Sequence, residues 1–385
     1  MRRALRLSLL AATSFACAVT ALWMGRDSRK NTAFAGDPSA VAPAPKARLL
    51  FGHGEVDGFS TEVAVASIDP AQNVAAVTPL ATITHERGSA IRGAAFGQVA
   101  FVVAKVEAPR GTSYDSALYR VEGGKVVKLC EGVMGAATPW VTSTGRVIVA
   151  RGIDGKDPPA SEAQKLVLRT DELTLDDVDP TTGAVHTLWR GQGYQAFLGA
   201  KLGDDRLVVY HSHKSGAALF TLDPATGQTR ALGPVAPFAR DFSFDRVHSR
   251  LVFADLGADG RTYEIVALDL ASLASRVLYA SPNEHLMPFA LTSGDLVFSS
   301  DGDKGLASMV AGAQLRLLSP LGDGSDAVTH EAGRWVALRH TPRAQTNDDP
   351  PRVVAFDTGS GKVVPLGVPS SHFVEPFAFV AGGAQ

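Results

Sequence analysis

Cysteine is almost absent from this sequence of 385 residues, which contains only Cys17 and Cys130. Cys17 lies in an apolar N-terminal run, so Cys130 is alone in the rest of the chain and no disulfide can form there. Cys130 ends the strand-like run Val126–Leu129 and is interpreted as a core residue. A reactive thiol would need a neighbouring base and an oxyanion site, which the local sequence does not supply.

An excess of basic residues is also missing. The whole chain has a formal charge of −2, and residues 1–47 hold seven Lys and Arg against two Asp, so residues 48–385 carry −7. This remainder has no Lys/Arg-rich stripe and no interleaving of basic and aromatic residues. The charge therefore argues against nucleic acid as a partner and against docking on anionic lipid.

Helical patterns and the common enzyme signatures are absent as well. Beyond the N-terminal run, no stretch has a convincing amphipathic helical period. The sequence contains no Gly-x-Ser-x-Gly elbow, no His-Glu-x-x-His, no glycine-rich phosphate loop and no paired-cysteine metal motif. We therefore assign no catalytic residue, no metal and no cofactor, and favour a protein that is not an enzyme.

The first 25 residues have the composition of an export signal. Arg2, Arg3 and Arg6 precede a largely apolar run over residues 7–25, as in a signal peptide or an uncleaved anchor. This segment has three alternative fates, which are cleavage after Ala33-Phe34-Ala35, retention as an anchor and lipidation at Cys17. Each places residues 48–385 outside the cytoplasmic membrane, periplasmic or anchored facing outward, with residues 7–25 as the only membrane contact.

Proline and alanine dominate residues 36–47, which follow the signal or anchor of residues 1–35. This composition predicts a short semi-rigid linker. Beyond it, short runs rich in Val, Leu, Phe and Tyr are bounded by Gly, Asp and Pro, which predicts strands joined by tight turns. Residues 48–385 are therefore expected to form an all-β body.

A short sequence motif recurs about every 45 residues in residues 48–385. Each copy places an aspartate after an apolar strand, and most copies continue with Pro or Thr and then Gly, at Asp69, Asp179, Asp223, Asp269 and Asp357. Successive copies are 110, 44, 46 and 88 residues apart, which is one or two periods. Repetition at this period with strand-like flanks is typical of a β-propeller, in which each repeat forms a four-stranded blade.

Paired strand signals predict six complete blades, the first of which opens with a hairpin at Phe96–Ala104. Arg48–Gly52 and Thr61–Ala81 supply strands two to four of a seventh blade, and Pro376–Val380 supplies its first strand. Closure by both chain ends removes the unpaired sheet edges that promote aggregation. The predicted fold is an all-β, seven-bladed β-propeller closed by strands from both termini and preceded by an N-terminal export signal or anchor helix.

Two segments carry a resemblance to a known repeat. Residues 253–265 and 294–305 combine an apolar strand, Asp- or Ser-rich residues with glycine, and a further strand, and Pro139-Trp140 with 145–150 resembles the opening of the same unit. They resemble the repeat of bacterial exported TolB-like (WD40-like) β-propellers. The resemblance covers residues 48–385 as a repeat pattern, without the Trp-Asp pair of eukaryotic WD40 repeats, and implies an exported propeller used for binding.

The loops between and within blades emerge at one face of such a ring, where ligands commonly bind. Long polar loops are predicted at 105–116, 151–170 and 341–351. The connections that approach the central opening carry polar residues that we predict to form a binding site, namely His85, Glu86, Arg87, Glu284, His285, His372 and Glu375. A zinc site would need convergence of His and carboxylate in four-fold geometry, which a sequence does not show, so no metal is assigned.

Two smaller motifs have simpler interpretations. His211 and His213 are two residues apart and project from one face of a strand, and we interpret them as a solvated strand end. Asp301–Gly305 resembles a calcium loop but lacks the later glutamate, and we interpret it as a hairpin turn.

The predicted function is a non-enzymatic binding scaffold of the bacterial cell envelope. It would bind an envelope protein or a small ligand at the loop face around the central channel. The alternative is an exported propeller enzyme, either lactonase-like or another metal-dependent hydrolase.

Overall fold

The computed structural model describes residues 44–89, 91–107, 112–135, 137–156, 170–282, 285–299, 306–310, 314–319, 321, 324–342 and 350–380. Within these ranges the chain forms strands, turns and bends. No helix in this part of the chain is long and apolar enough to cross a membrane. The predicted signal or anchor and most of the linker lie outside the described residues.

The described strands form antiparallel sheets of four strands each, with one sheet of eight. The sheet that joins the two chain ends has the order β28-β1-β2-β3 and consists of β1 (Ala47–Glu55), β2 (Ser60–Ile68), β3 (Ala76–Thr84) and β28 (His372–Val380).

The eight-stranded sheet consists of two groups of four strands, joined where Val133 pairs with Arg151. The first group contains β4 (Arg92–Phe96), β5 (Val99–Lys105), β6 (Ser116–Glu122) and β7 (Lys125–Val133). The second contains β8 (Trp140–Val141), β9 (Val147–Ile153), β10 (Asp171–Val178) and β11 (Val185–Gly193).

Four further sheets follow in chain order. They consist of β12 (Gln195–Lys201), β13 (Leu207–His213), β14 (Gly216–Leu222) and β15 (Thr229–Val235); β16 (Arg240–Asp245), β17 (Arg250–Leu256), β18 (Tyr263–Asp269) and β19 (Ser275–Ser281); β20 (Phe289–Ala290), β21 (Leu296–Ser299), β22 (Leu306–Val310) and β23 (Gln314–Ser319); and β24 (Gly324–Ala332), β25 (Trp335–Pro342), β26 (Arg352–Asp357) and β27 (Val363–Pro365).

Contacts between first strands connect most neighbouring groups, and β12 contacts the second strand of the preceding group. Strand β28 contacts both β4 and β24, β4 contacts β8, β12 contacts β9 and β16, and β20 contacts β16 and β24. Last strands such as β3 and β7 are instead largely exposed. The all-β architecture, with four-stranded antiparallel sheets connected through their first strands, is consistent with a β-propeller.

The two chain ends pair directly. Strand β28 runs antiparallel to β1, from Arg48 opposite Val380 to Glu55 opposite His372, with a shift of register between Leu50 and Phe51. The predicted C-terminal strand, Pro376–Val380, is therefore present and begins four residues earlier, at His372. The predicted hairpin start at Phe96 was wrong, because β4 begins at Arg92. Its residues Arg92, Gly93, Ala94 and Ala95 lack the β-branched and aromatic side chains that mark a strand in sequence.

The hydrophobic core lies between neighbouring sheets. Phe377 on β28 packs with Ile91 and Val102 in one such layer, and a Cβ atom added to Gly93 would lie only 2.1 Å from the Phe377 ring. Glycine at position 93 thus allows β4 and β28 to approach closely. The same arrangement recurs where Gly199 on β12 faces Phe242 on β16.

The repeated aspartate forms a turn. In one copy, the Asp179 carboxylate accepts hydrogen bonds from the backbone N–H groups of Thr181 and Thr182 at 2.9 and 2.8 Å. These bonds, first that from Thr182, lower the pKa of Asp179. Gly183 follows with a φ of 72°, a left-handed conformation that favours glycine. The recurring motif therefore encodes an aspartate-stabilised turn between the third and fourth strands of a group.

Candidate binding site at the loop face

We define the loop face as the side on which the chain passes from one strand group to the next. The same strand ends carry the loops between the second and third strands of each group. Parts of the three long predicted loops lie outside the described residues, as do Glu284 and Asp301–Gly305.

A cleft of about 390 Å³ opens at the loop face. We call it the Arg92 cleft. It collects side chains from three strand groups, because the connection before β4, the end of β5, the segment after β7 and the start of β12 meet there. Its lining includes Glu86, Arg87, Arg92, Lys105, Met134 and Tyr194.

Two ion pairs organise the charges of this cleft. Lys105 Nζ lies 2.8 Å from Glu86 Oε2, which joins the β3–β4 connection to the end of β5. Arg87 reaches Asp57 at 3.4 Å, and both side chains are largely exposed, so this pair contributes little stability. The cleft therefore combines a close, partly exposed Lys–Glu pair with a longer and more exposed Arg–Asp pair.

His85 is buried directly before Glu86 and Arg87, the two residues that line the cleft. The ring is buried, its Nδ1–H donates to the carbonyl oxygen of Glu86 at 2.8 Å, and its Nε2 accepts from the Thr61 hydroxyl at 2.8 Å. Both ring nitrogens are thus used within the fold. His85 positions Glu86 and Arg87 at the cleft wall.

His372 lies where the two chain ends pair. His53 donates from Nε2 to Glu62 Oε1 at 3.0 Å, so its Nδ1 accepts from His372 Nδ1–H, also at 3.0 Å. Burial is the main reason that the pKa of His53 is lowered. His372 therefore belongs to a hydrogen-bonded chain that links β28, β1 and β2.

Glu375 joins three strand groups. Its Oε2 accepts from Arg339 Nη2 on β25 at 2.6 Å, and its Oε1 lies 3.6 Å from Arg92 Nη1 on β4. The shorter contact is a hydrogen bond, and the longer one exceeds hydrogen-bond distance. Glu375 is consequently held by Arg339, with Arg92 as a weaker partner.

His285 lies near Asp241, whose backbone has an unusual conformation. Asp241 has a φ of 55° within an irregular stretch of β16. Desolvation by the surrounding residues raises the pKa of Asp241 although its side chain is 37% exposed, while Arg240, His285 and Arg339 act in the opposite direction. The predicted residues thus divide between the Arg92 cleft (Glu86, Arg87), its support (His85), the chain-end pairing (His372, Glu375) and the Asp241 neighbourhood (His285).

Sequence reasoning missed several residues of the cleft, among them Arg92, Lys105, Met134 and Tyr194. Arg92 was overlooked because the first strand was predicted to begin at Phe96. The other three lie at the end of β5, after β7 and before β12, up to 89 residues apart in the chain, and no local pattern indicates that they meet.

A second cleft adjoins the first. It has a volume of about 900 Å³ and shares Thr112, Asp115 and Ser116 with the Arg92 cleft. We call it the Tyr114 cleft. Tyr114 donates from its hydroxyl to the buried carboxylate of Asp171 at 2.8 Å. The two clefts therefore meet at the loop between β5 and β6, and the Tyr114 cleft extends from there along β7.

The remaining candidate residues have simple surroundings. The His211 and His213 rings lie 5.1 Å apart on β13, on one face as predicted, and His211 Nε2 donates to the Gln192 carbonyl at 3.1 Å. Cys130 is half-buried, and burial raises its pKa. Within the described ranges, no group of three or more His, Cys, Asp or Glu side chains is arranged to hold a metal ion.

No protein-family model matches this sequence, and no curated protein matches it significantly. Solved structures do resemble the fold. A puromycin-hydrolyzing peptidase of Mycobacterium tuberculosis is 17% identical, with a TM-score of 0.52 over 86% of this chain and 55% of that one. A structure from a study of two prolyl endopeptidases is 14% identical, with a TM-score of 0.51 over 86% and 50%.

TolB from Acinetobacter baumannii is 16% identical, with a TM-score of 0.43 over 72% of this chain and 67% of that one. The chain has a β-propeller fold. It spans about half the length of the two peptidase structures. At these identities the similarity concerns the fold of the propeller alone.

Proposed function

We propose that this chain is a seven-bladed β-propeller of the bacterial cell envelope that binds a protein or small ligand at its loop face without catalysing a reaction. The strand groups support seven blades, with β28 and β1–β3 forming the blade shared by the chain ends. The TolB-like repeat pattern supports an exported protein of this kind.

The Arg92 cleft is the observation that carries the proposal. Its volume of about 390 Å³ falls in the range of small-ligand sites, roughly 300–1,000 Å³. It is lined by donors, acceptors and the apolar side chains of Met134 and Tyr194. Such a combination, held by loops on a rigid sheet scaffold, suits selective binding.

The double substitution Arg87→Ala/Tyr194→Ala tests this proposal. We expect it to weaken retention of the partner from envelope extract at least about tenfold, the effect of losing roughly 1.4 kcal/mol of contacts. The full chain serves as bait, retained proteins and small molecules are identified by mass spectrometry, and the affinity of each is then measured with purified components.

The matched control is Val247→Ala. Val247 is 57% exposed in the β16–β17 turn, on the side opposite the loop face. Melting temperatures establish that both variants are folded. The proposal is wrong if every retained species binds the double variant as tightly as it binds the wild type and the control.

We further propose that residues 1–47 direct export of the propeller. A fusion of these residues to a reporter that is active only outside the cytoplasm is expected to give signal, because three arginines precede the apolar run of residues 7–25. Mass spectrometry of the mature N-terminus separates cleavage, anchoring and lipidation. Replacement of Leu9 and Leu10 by Asp is expected to abolish the signal, and a reporter that stays inactive in both fusions would exclude export.

A further inference from the structure

Arg92 holds an unused pair of donor groups in the cleft. Its side chain is 33% exposed, and both of its polar contacts involve Nη1, which donates to the Ile91 carbonyl at 2.8 Å and lies 3.6 Å from Glu375. Among the described residues, Nε and Nη2 have no hydrogen-bond partner. These two nitrogens form the planar edge with which arginine grips a carboxylate.

Two other arginines of similar exposure use this edge within the fold. Arg334 donates from Nε and Nη2 to the two oxygens of Asp357, at 2.9 and 2.6 Å. Arg146 likewise places Nε and Nη2 on Asp177, at 2.9 and 2.8 Å. Arg92 therefore differs from Arg334 and Arg146, because no described carboxylate occupies its Nε–Nη2 edge.

The carboxylates near Arg92 do not bind its Nε–Nη2 edge. Arg339 already holds Glu375 at 2.6 Å, and Lys105 holds Glu86 at 2.8 Å. Asp115 accepts from the backbone N–H and the hydroxyl of Thr112. Each carboxylate around the cleft thus has its own partner, and an external carboxylate remains the natural complement of Arg92.

The two clefts indicate what carries that carboxylate. Met134 and Tyr194 line the Arg92 cleft together with Arg92, and this cleft shares Thr112, Asp115 and Ser116 with the larger Tyr114 cleft. The Tyr114 cleft is lined by four carboxylates and two cationic side chains. An extended chain with an acidic end at Arg92 and basic residues further along matches this distribution of charge and shape.

Resting on the proposed binding function, we infer that the loop face recognises the C-terminal carboxylate of an extended peptide. Arg92 would bind the carboxylate through Nε and Nη2, and Met134 and Tyr194 would contact the last side chain. The preceding residues would lie in the Tyr114 cleft, where Lys or Arg is favoured.

A library of random hexapeptides with free C-termini, and the same library with amidated C-termini, provides the test. Affinity selection on the full chain is expected to enrich free-carboxylate peptides with upstream Lys or Arg. Amidation is expected to weaken the selected peptides about 10- to 100-fold, the effect of losing charge-assisted hydrogen bonds. Arg92→Gln should cause a similar loss and Arg92→Lys a smaller one.

Arg276→Gln is the control, since Arg276 lies on the exposed strand β19 and should not affect binding. Amidated peptides that bind as well as free ones, or an Arg92→Gln variant of unchanged affinity, would overturn the carboxylate inference while leaving loop-face binding intact. Enrichment of no peptide, or binding of hexanoate or inorganic phosphate in place of peptides, would overturn the peptide assignment. The Arg87→Ala/Tyr194→Ala experiment judges the binding function separately.

Discussion

Deleting residues 370–385 is expected to abolish cooperative unfolding of the monomer, because it removes the whole of β28. This strand pairs with β1 along its entire length and contributes Val374, Phe377 and Val380 to the cores on both sides. Its loss would expose the edge of β1 and remove much of the roughly 5–15 kcal/mol by which folded domains are stable. Thermal melting followed by circular dichroism, with size-exclusion chromatography, measures the effect.

The control for this truncation removes residues 381–385 alone, which follow β28 and leave its pairing with β1 intact. We expect that shorter deletion to melt close to the wild type. A protein lacking residues 370–385 that remains monomeric with an unchanged melting temperature would show that the chain ends do not hold the fold together.

Gly93→Ala is expected to destabilise the propeller by about 3 kcal/mol, at the upper end of the effect of overpacking. The added Cβ would lie 2.1 Å from one Phe377 ring atom and 2.3 Å from another, so β4 and β28 would have to separate. Phe377→Ala alone is expected to cost roughly 3–5 kcal/mol by leaving a cavity. Urea denaturation gives the free energy of unfolding of each variant.

The double variant distinguishes steric conflict from a general intolerance of position 93. If the clash is with Phe377, Gly93→Ala should cost much less when Phe377 is already alanine, with a coupling of about 0.5–3 kcal/mol. Gly203→Ala is the control, since its Cβ would meet only the Arg246 side chain at 3.6 Å. Additive effects of the two substitutions, or a Gly93→Ala protein as stable as the control, would refute the close-approach explanation.

The candidate site could be predicted only in part. Glu86 and Arg87 line the Arg92 cleft, as a connection at the loop face should. His85 looked equally available in the sequence, yet Thr61, 24 residues earlier, occupies its Nε2. Arg92 stands at the start of a strand whose Gly and Ala residues hide its β character. Contacts with partners distant in the chain decided which of these side chains face solvent.

The sequence by itself determined the repeating unit and its turns. An aspartate followed by glycine stabilises its turn through contacts within a few residues, as at Asp223 and Asp357, so a local pattern is sufficient to encode it. The alternation of apolar strands and turns likewise determined the all-β class. The pairing of the strands near the two chain ends could also be predicted, because each of them would otherwise leave an unpaired sheet edge.

Only the tertiary structure determined which charged side chains pair with each other between strand groups. Glu375 is held by Arg339 and lies beyond hydrogen-bond distance of Arg92, a result of three strands that are distant in sequence and adjacent in space. The same holds for the two clefts, whose walls come from different strand groups. Local patterns specify turns because their hydrogen bonds span few residues, whereas a binding surface depends on distances between strands that only the packed fold sets.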